Sequence, residues 1–181
     1  MIPTLRTTLG VKGHRPLVGN LDCHDLLYVF GALNLVTGRL TTRLVERPRT
    51  PKPRRSKQRY LQEAFARHLR DIARIHPAAQ YPRVVLVVDK ASWHRGAVVT
   101  AVLKACPHLE LYPLPSYSPT LQVIERFWKV LRRRATHNRL FVTVAQLKRA
   151  LRNSLSYYQT LKHRVRSIIQ SPRKRTKLVV A

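Results

Sequence analysis

Acidic side chains are nearly missing from this chain. Its 181 residues hold 8 Asp+Glu against 35 Lys+Arg, a formal net charge of +27 at pH 7. Folding so one-sided a chain works against self-repulsion, which points to a polyanionic partner. Nucleic acid is the first candidate, an anionic membrane surface the second, and ribosome assembly a special case of the first. Cysteine is also sparse. Cys23 and Cys106 show neither metal-ligand spacing nor a pairing pattern, and they read as reduced cytosolic thiols. The longest aliphatic run is five residues, Val84 to Val88, and Met1–Arg6 has no apolar stretch of signal-peptide length. Neither a membrane span nor secretion is therefore expected. Internal repeats are absent too. Against these absences stand a hydrophobic content of 44%, enough for a globular body, and a length that suits one domain with a tail.

Residues 1–25 are polar and irregular, punctuated by Gly10, Gly13, Pro16 and Gly19. Leu26–Leu33 reads as a strand, Asn34–Gly38 as a turn and Arg39–Val45 as the returning strand of an antiparallel hairpin. Residues 46–59 are rich in Pro and Arg, with Arg47, Arg49, Lys52, Arg54, Arg55 and Lys57 among their bases. This stretch is either a solvated surface loop or one that touches phosphates, and the net charge favours the second. Tyr60–Ile75 has one apolar stripe at helical spacing. His68 and His76 lie near that stripe and read as packing or surface histidines, since no other ligand-type residue is spaced to join them.

Pro82 introduces a strand ending at Asp89, apolar on both faces as in a sheet interior covered on each side. A helix over about Arg95–Cys106 and a strand at Leu109–Tyr112 follow. Pro113, Pro115 and Pro119 force an extended loop. The next helix, from about Leu121 to Arg134, is expected to bury Ile124, Phe127, Trp128 and Leu131, and to carry Arg132, Arg133 and Arg134 as further DNA contacts. Thr143 with Gln146 makes a capping-box start for a last helix. The order predicts an α/β fold, a mixed sheet flanked by helices. Residues 1–158 would form the domain and 159–181 a basic C-terminal tail.

Two of the rare acids, Asp89 and Glu125, sit where a strand ends and where a helix begins. Open α/β sheets place ligands at the carboxyl ends of their strands. If the strands around residues 86 and 111 are neighbours, the helix after the Pro-rich loop can bring Glu125 toward Asp89. Paired carboxylates repel unless a cation bridges them, so the pair could hold Mg²⁺ or Mn²⁺ against a phosphate. The plainer alternative is that Asp89 caps a following turn and Glu125 is a helix-start acid favoured by the dipole.

The run Val88-Asp89-Lys90-Ala91-Ser92-Trp93-His94, with Leu114-Pro115-Ser116-Tyr117-Ser118-Pro119-Thr120-Leu121-Gln122-Val123-Ile124-Glu125-Arg126-Phe127-Trp128, resembles mariner-like insertion-sequence transposases of the DDE endonuclease superfamily. That family reads roughly Asp-Asn-x-x-x-His, then Leu-Pro-x-Tyr-Ser-Pro-x-Leu-Asn-Pro-Ile-Glu-x-x-Trp. The 35 residues between Asp89 and Glu125 are close to its spacing. Lys12-Gly13-His14-Arg15-Pro16 and Tyr28–Asn34 with Thr37-Gly38 also look like it, so the resemblance covers about residues 4–140.

The resemblance implies a ribonuclease H-like fold, with Asp89 the second and Glu125 the third metal-binding acid and His94 near the site. It implies metal-dependent cleavage of DNA at element ends and joining to target DNA. The partners expected are that DNA and a second copy of the chain, with no membrane, in a cytoplasmic, nucleoid-associated location.

Three departures stand out. Lys90 replaces the family's Asn, Gln122-Val123 replaces its Asn-Pro, and the first acid has no counterpart, because Asp22 and Asp25 fall elsewhere. The strand that carries this acid is central in the family's sheet. The expectation is thus an N-terminally truncated transposase lacking its first strand, with impaired activity. A catalytically dead basic DNA-binding remnant is the alternative.

Overall fold

A computed structural model of the chain describes residues 12, 26–46, 54–115 and 123–170, with backbone alone for 54–57. The expected hairpin forms. Strand β1 (Leu27–Leu33) pairs antiparallel with β2 (Leu40–Glu46), Leu33 opposite Leu40. Asn34 makes the turn: its Oδ1 accepts from the Val36 and Thr37 N–H groups at 3.0 and 2.9 Å. Gly38 completes it at φ +71°, and a Cβ there would lie 2.6 Å from the Lys162 carbonyl oxygen.

Helix α1 (Arg54–Ile75) begins earlier than its apolar stripe. Leu61, Phe65, Leu69 and Ile72 are buried, and Arg43 of β2 donates to Asp71 from Nε at 2.9 Å and Nη2 at 2.5 Å. Strand β3 (Val84–Val88), a 3₁₀ turn (Ser92–His94), helix α2 (Ala97–Ala105) and strand β4 (Leu109–Pro113) make a βαβ unit. Its strands are parallel, with Leu86 opposite Leu111, so those neighbours are indeed paired. Helices α3 (Ile124–Ala135), α4 (Val144–Thr160) and α5 (Lys162–Gln170) finish the described chain. Thr143 caps α4, its Oγ1 accepting from the Gln146 N–H at 3.2 Å, while Gln146 Oε1 accepts from Val142.

Strand periodicity divides the interior in two. Phe30 and Ala32 of β1 face a core built by α1, α2 and the inward side of β3–β4. Leu27, Val29 and Leu33 face a second core around Phe127, Leu131, Leu155, Tyr158 and Val165 of α3–α5. The α/β class is as expected, but among the described residues the strands form two separate pairs, β1–β2 and β3–β4. Sheet edges on β1 and β3 are therefore open within that set, each with backbone groups that need partners.

Two expectations are corrected. Strand β3 is not covered on both faces: Val85 and Val87 are 47% and 51% exposed, since the α3–α5 layer lies over β1–β2 instead. Nor does a basic tail begin at residue 159. Helix α4 runs to Thr160, and α5 packs Val165 and Ile169 into the core. Arg126 Nη1 ties α5 down by donating to the Ile169 carbonyl at 2.8 Å. The stripe Val165, Ile168, Ile169 has helical spacing that the surrounding charge masks. Residues 171–181 lie outside the described residues, as do 1–11 and 13–25.

The seat of α3 on β1 depends on one glycine. A Cβ at Gly31 would lie 2.5 Å from Trp128 Cη2 and 2.7 Å from Cζ2. Gly31→Val should push the indole, and α3 with it, off the strand. Overpacking of this kind costs about 1–3 kcal/mol, and each kcal/mol should lower Tm by about 2–4 °C in a chain of this size. A variant that melts with the unaltered chain in circular dichroism would mean that α3 is not seated there.

Candidate functional site

Asp89 follows β3 directly, at the carboxyl end of the parallel pair. The Leu114 N–H bonds to the Val88 carbonyl at 2.8 Å, extending the pairing beyond β4. The chain then turns sharply. Asp89 Oδ1 accepts from the Ala91 N–H at 3.0 Å and lies 3.0 Å from His94 Nδ1, which is also 3.0 Å from the Asp89 carbonyl oxygen. With its proton on Nδ1, the imidazole donates to both oxygens. The ring of His94 is held in turn by Phe65, with centroids 4.4 Å apart. His94 thus gains the role its sequence position left open: it orients Asp89. The signal was the Asp-x-x-x-x-His spacing across a tight turn.

The Asp89 side chain is 50% exposed, and its Oδ2 makes no hydrogen bond among the described residues. Lys90 is exposed beside it, and the Arg95 guanidinium reaches the Lys90 carbonyl at 3.4 Å. The turn-capping role foreseen for Asp89 is real and occupies one carboxylate oxygen.

Glu125 lies, half-buried, in the first turn of α3. The Val123 side chain at the N-cap offers no cap bond, so an acid here is favoured by the open amides and the dipole. Glu46, Glu63, Asp71, Asp89 and Glu110 each meet a basic group: Lys148, Arg59, Arg43, His94 and Arg83. Among the described residues, Glu125 has no such partner.

The structure brings Asp89 and His94 together. It does not close Asp89, His94 and Glu125 into one cluster: among the described residues, no group of three or more His, Cys, Asp and Glu could hold a metal ion.

Of the expected DNA contacts, Arg132, Arg133 and Arg134 are exposed on the last turns of α3. Arg54, Arg55 and Lys57 fall in the opening turns of α1, while Arg47, Arg49 and Lys52 lie outside the described residues. The Ser116–Gln122 part of the motif also lies outside them. No helix among the described residues is long and apolar enough to cross a membrane.

His68 and His76 behave as packing residues. His76 Nδ1 meets the Ile72 carbonyl at 3.2 Å. His68, 2% exposed beside Phe30, has no hydrogen-bond partner among the described residues on either ring nitrogen, and burial pulls its pKa down to about 4.

Should Asp89 work through its carboxylate, His94→Ala should weaken that work about 10–100-fold, the usual cost of removing an orienting partner. Metal affinity and cleavage rate are the measurements. Equal values for variant and unaltered chain would leave His94 a purely structural residue.

A 79-residue match, 35% identical, joins this chain to the uncharacterized protein y4pE/y4sA of Sinorhizobium fredii (strain NBRC 101917 / NGR234); it covers 44% of this chain and 54% of that protein. Two solved structures share the fold. The Mos1 transposase paired-end complex with left transposon end superposes with a TM-score of 0.58 at 15% identity. The Mos1 mariner paired end complex with Mn does so with a TM-score of 0.58 at 16% identity. Each covers 93% of this chain but 49% of the other, so the chain spans about half the length of the proteins it matches. The family model for DDE superfamily endonucleases matches residues 5–148, and the chain belongs to that family.

Proposed function

We propose that this chain is the catalytic part of a transposase, and that it cuts and joins DNA strands with a divalent metal held by Asp89 and Glu125. The observation that carries this reading is the posture of Asp89. It stands at the carboxyl end of β3, with Oδ1 fixed by Ala91 and His94 and Oδ2 without a hydrogen bond among the described residues.

Both side chains offer the hard oxygen donors that Mg²⁺ and Mn²⁺ prefer. Mg²⁺ commonly takes only one or two carboxylates beside water and substrate phosphate. Bound there, the metal supplies Lewis-acid stabilisation of phosphodiester displacement and a more acidic nucleophile. The chain itself contributes a fixed carboxylate at residue 89, one at residue 125 with no ion-pair partner among the described residues, and a positive surround that draws phosphate in.

The test is nicking of a supercoiled plasmid carrying the DNA that flanks the gene, with Mg²⁺ or Mn²⁺. The chain is assayed beside its Asp89→Asn variant. Metal-dependent nicking by the unaltered chain that the variant lacks supports the proposal; its absence from the unaltered chain counts against it.

A second reading is favoured by one observation, the exposed Arg132, Arg133 and Arg134 on the last turns of α3. On that reading the chain is a catalytically silent DNA-binding protein. It predicts salt-sensitive DNA binding that ignores both Mg²⁺ and Asp89→Asn, since phosphate contacts release counterions and need no acid.

A further inference from the structure

No Asp or Glu follows Glu125 in the sequence, so every charged side chain from Arg126 onward is basic. Apart from Glu125 in the first turn of α3, helices α3–α5 are built from this acid-free stretch. Within them, two guanidiniums converge on one ring: the Arg134 carbon Cζ lies 3.9 Å from the Tyr157 centroid, and that of Arg164 lies 5.6 Å from it. Arg134 is exposed at the end of α3 and Arg164 is exposed on α5, while Tyr157 is half-buried on α4 and braced edge-on by Tyr158 at 5.1 Å.

We propose that Tyr157 holds Arg134 and Arg164 as a paired clamp for a backbone phosphate of nucleic acid, a contact site apart from Asp89 and Glu125. Two like charges over one ring repel, and among the described residues neither Arg134 nor Arg164 has an acid in an ion pair with it. A phosphate between them turns that repulsion into attraction. A guanidinium laid on a ring keeps its N–H edge available, and that edge suits phosphate oxygens. Stacking also fixes the long side chains beforehand, which lowers the ordering cost of binding.

A polymer fits better than a free anion, because Arg132, Arg133, Lys162 and Arg166 extend the positive surface beyond the pair. A membrane fits less well. Phe127, Leu131, Leu151, Leu155 and Val165 of these helices all point into the core, and the exposed Leu140 and Val142 lie on the link between α3 and α4, not on an apolar helix face of the kind that inserts.

This inference rests on the preceding section only for its choice of nucleic acid as partner, and its test does not use cleavage. Binding of a labelled duplex about 30 base pairs long is measured in EDTA over a salt series, because each lost phosphate contact lowers the slope of log K against log salt by about 0.9. Arg134→Gln/Arg164→Gln is expected to lower that slope by about 1–2 and affinity at least about tenfold at low salt. Arg70→Gln/Arg74→Gln removes equal charge from exposed positions of α1 and should leave the slope unchanged. Tyr157→Phe should bind as the unaltered chain does, and Tyr157→Leu several-fold more weakly.

Equal effects of the two double variants would overturn the clamp, because they would mean that only total charge matters. So would a clamp variant that loses binding to anionic phosphatidylglycerol vesicles while keeping the duplex, or competition by inorganic phosphate at millimolar concentration. If Tyr157→Leu does not fold, the two arginine pairs still decide. The assay reads binding alone, in EDTA, so the clamp and the cleavage proposal can fail separately.

Discussion

Asp89→Asn is expected to lower metal-dependent DNA nicking about a thousandfold, the scale of losing one member of a cooperating catalytic set. The substitution is informative because of how Asp89 is held. The amide oxygen can still accept from the Ala91 N–H and His94, so the turn after β3 should survive. What is lost is the charge and the second carboxylate oxygen. Thermal unfolding should therefore change little while activity collapses. Glu125→Gln should behave alike, since no ion pair among the described residues depends on that carboxylate. The double variant should be scarcely worse than either single one, because groups acting on one metal do not contribute additively. Nicking that persists in both single variants would remove the basis for a two-acid site. A fall in Tm as large as the fall in activity would instead make Asp89 a turn residue alone.

Acid should unfold this protein through His68. Its imidazole is buried on α1 between Phe30 and the Arg43–Asp71 pair, with neither nitrogen hydrogen-bonded. Burial is the largest cause of its lowered pKa. Asp71 pulls it back upward and Arg43 presses it down, to about 4 against an ordinary 6.5. The native state therefore holds His68 neutral, while the unfolded chain protonates it as pH falls through 6.5. Stability is full above pH 6.5 and is lost as pH drops toward 4. The loss is about 3 kcal/mol, from a shift of this size at 1.36 kcal/mol for each pH unit. Denaturant titrations between pH 4 and 7 should show this slope, and His68→Leu should flatten it. The leucine should also be tolerated at neutral pH, because an apolar side chain of similar size removes two unsatisfied polar atoms. A slope unchanged by His68→Leu would assign the acid sensitivity to other groups.

Local pattern was legible wherever neighbours in sequence dictate it. Asn34 with Gly38 announced the hairpin turn, the stripe through Leu61, Phe65, Leu69 and Ile72 announced α1, and Thr143 with Gln146 announced the start of α4. Asp89, Glu125 and His94 stood out because acids are rare and the motif around them is specific. Two things were hidden by charge and by context. Val165, Ile168 and Ile169 are hidden by the lysines and arginines around them, so the sequence of α5 resembles a basic tail. Val85 and Val87 read as covered on both faces, because an apolar run says which residues alternate but not what packs over each side.

The sequence alone determined the basic character, the family and the identity of the rare acids, since composition and short motifs need no long-range contact to be seen. Tertiary structure alone decided which layer covers which strand pair, that His94 turns back onto Asp89, and that Arg134 and Arg164 share the ring of Tyr157. These are meetings between separate segments, fixed by packing: Trp128 against Gly31 seats one layer, and Phe65 against His94 aligns the other. Periodicity assigns a side chain to a face; only the folded chain supplies what that face touches.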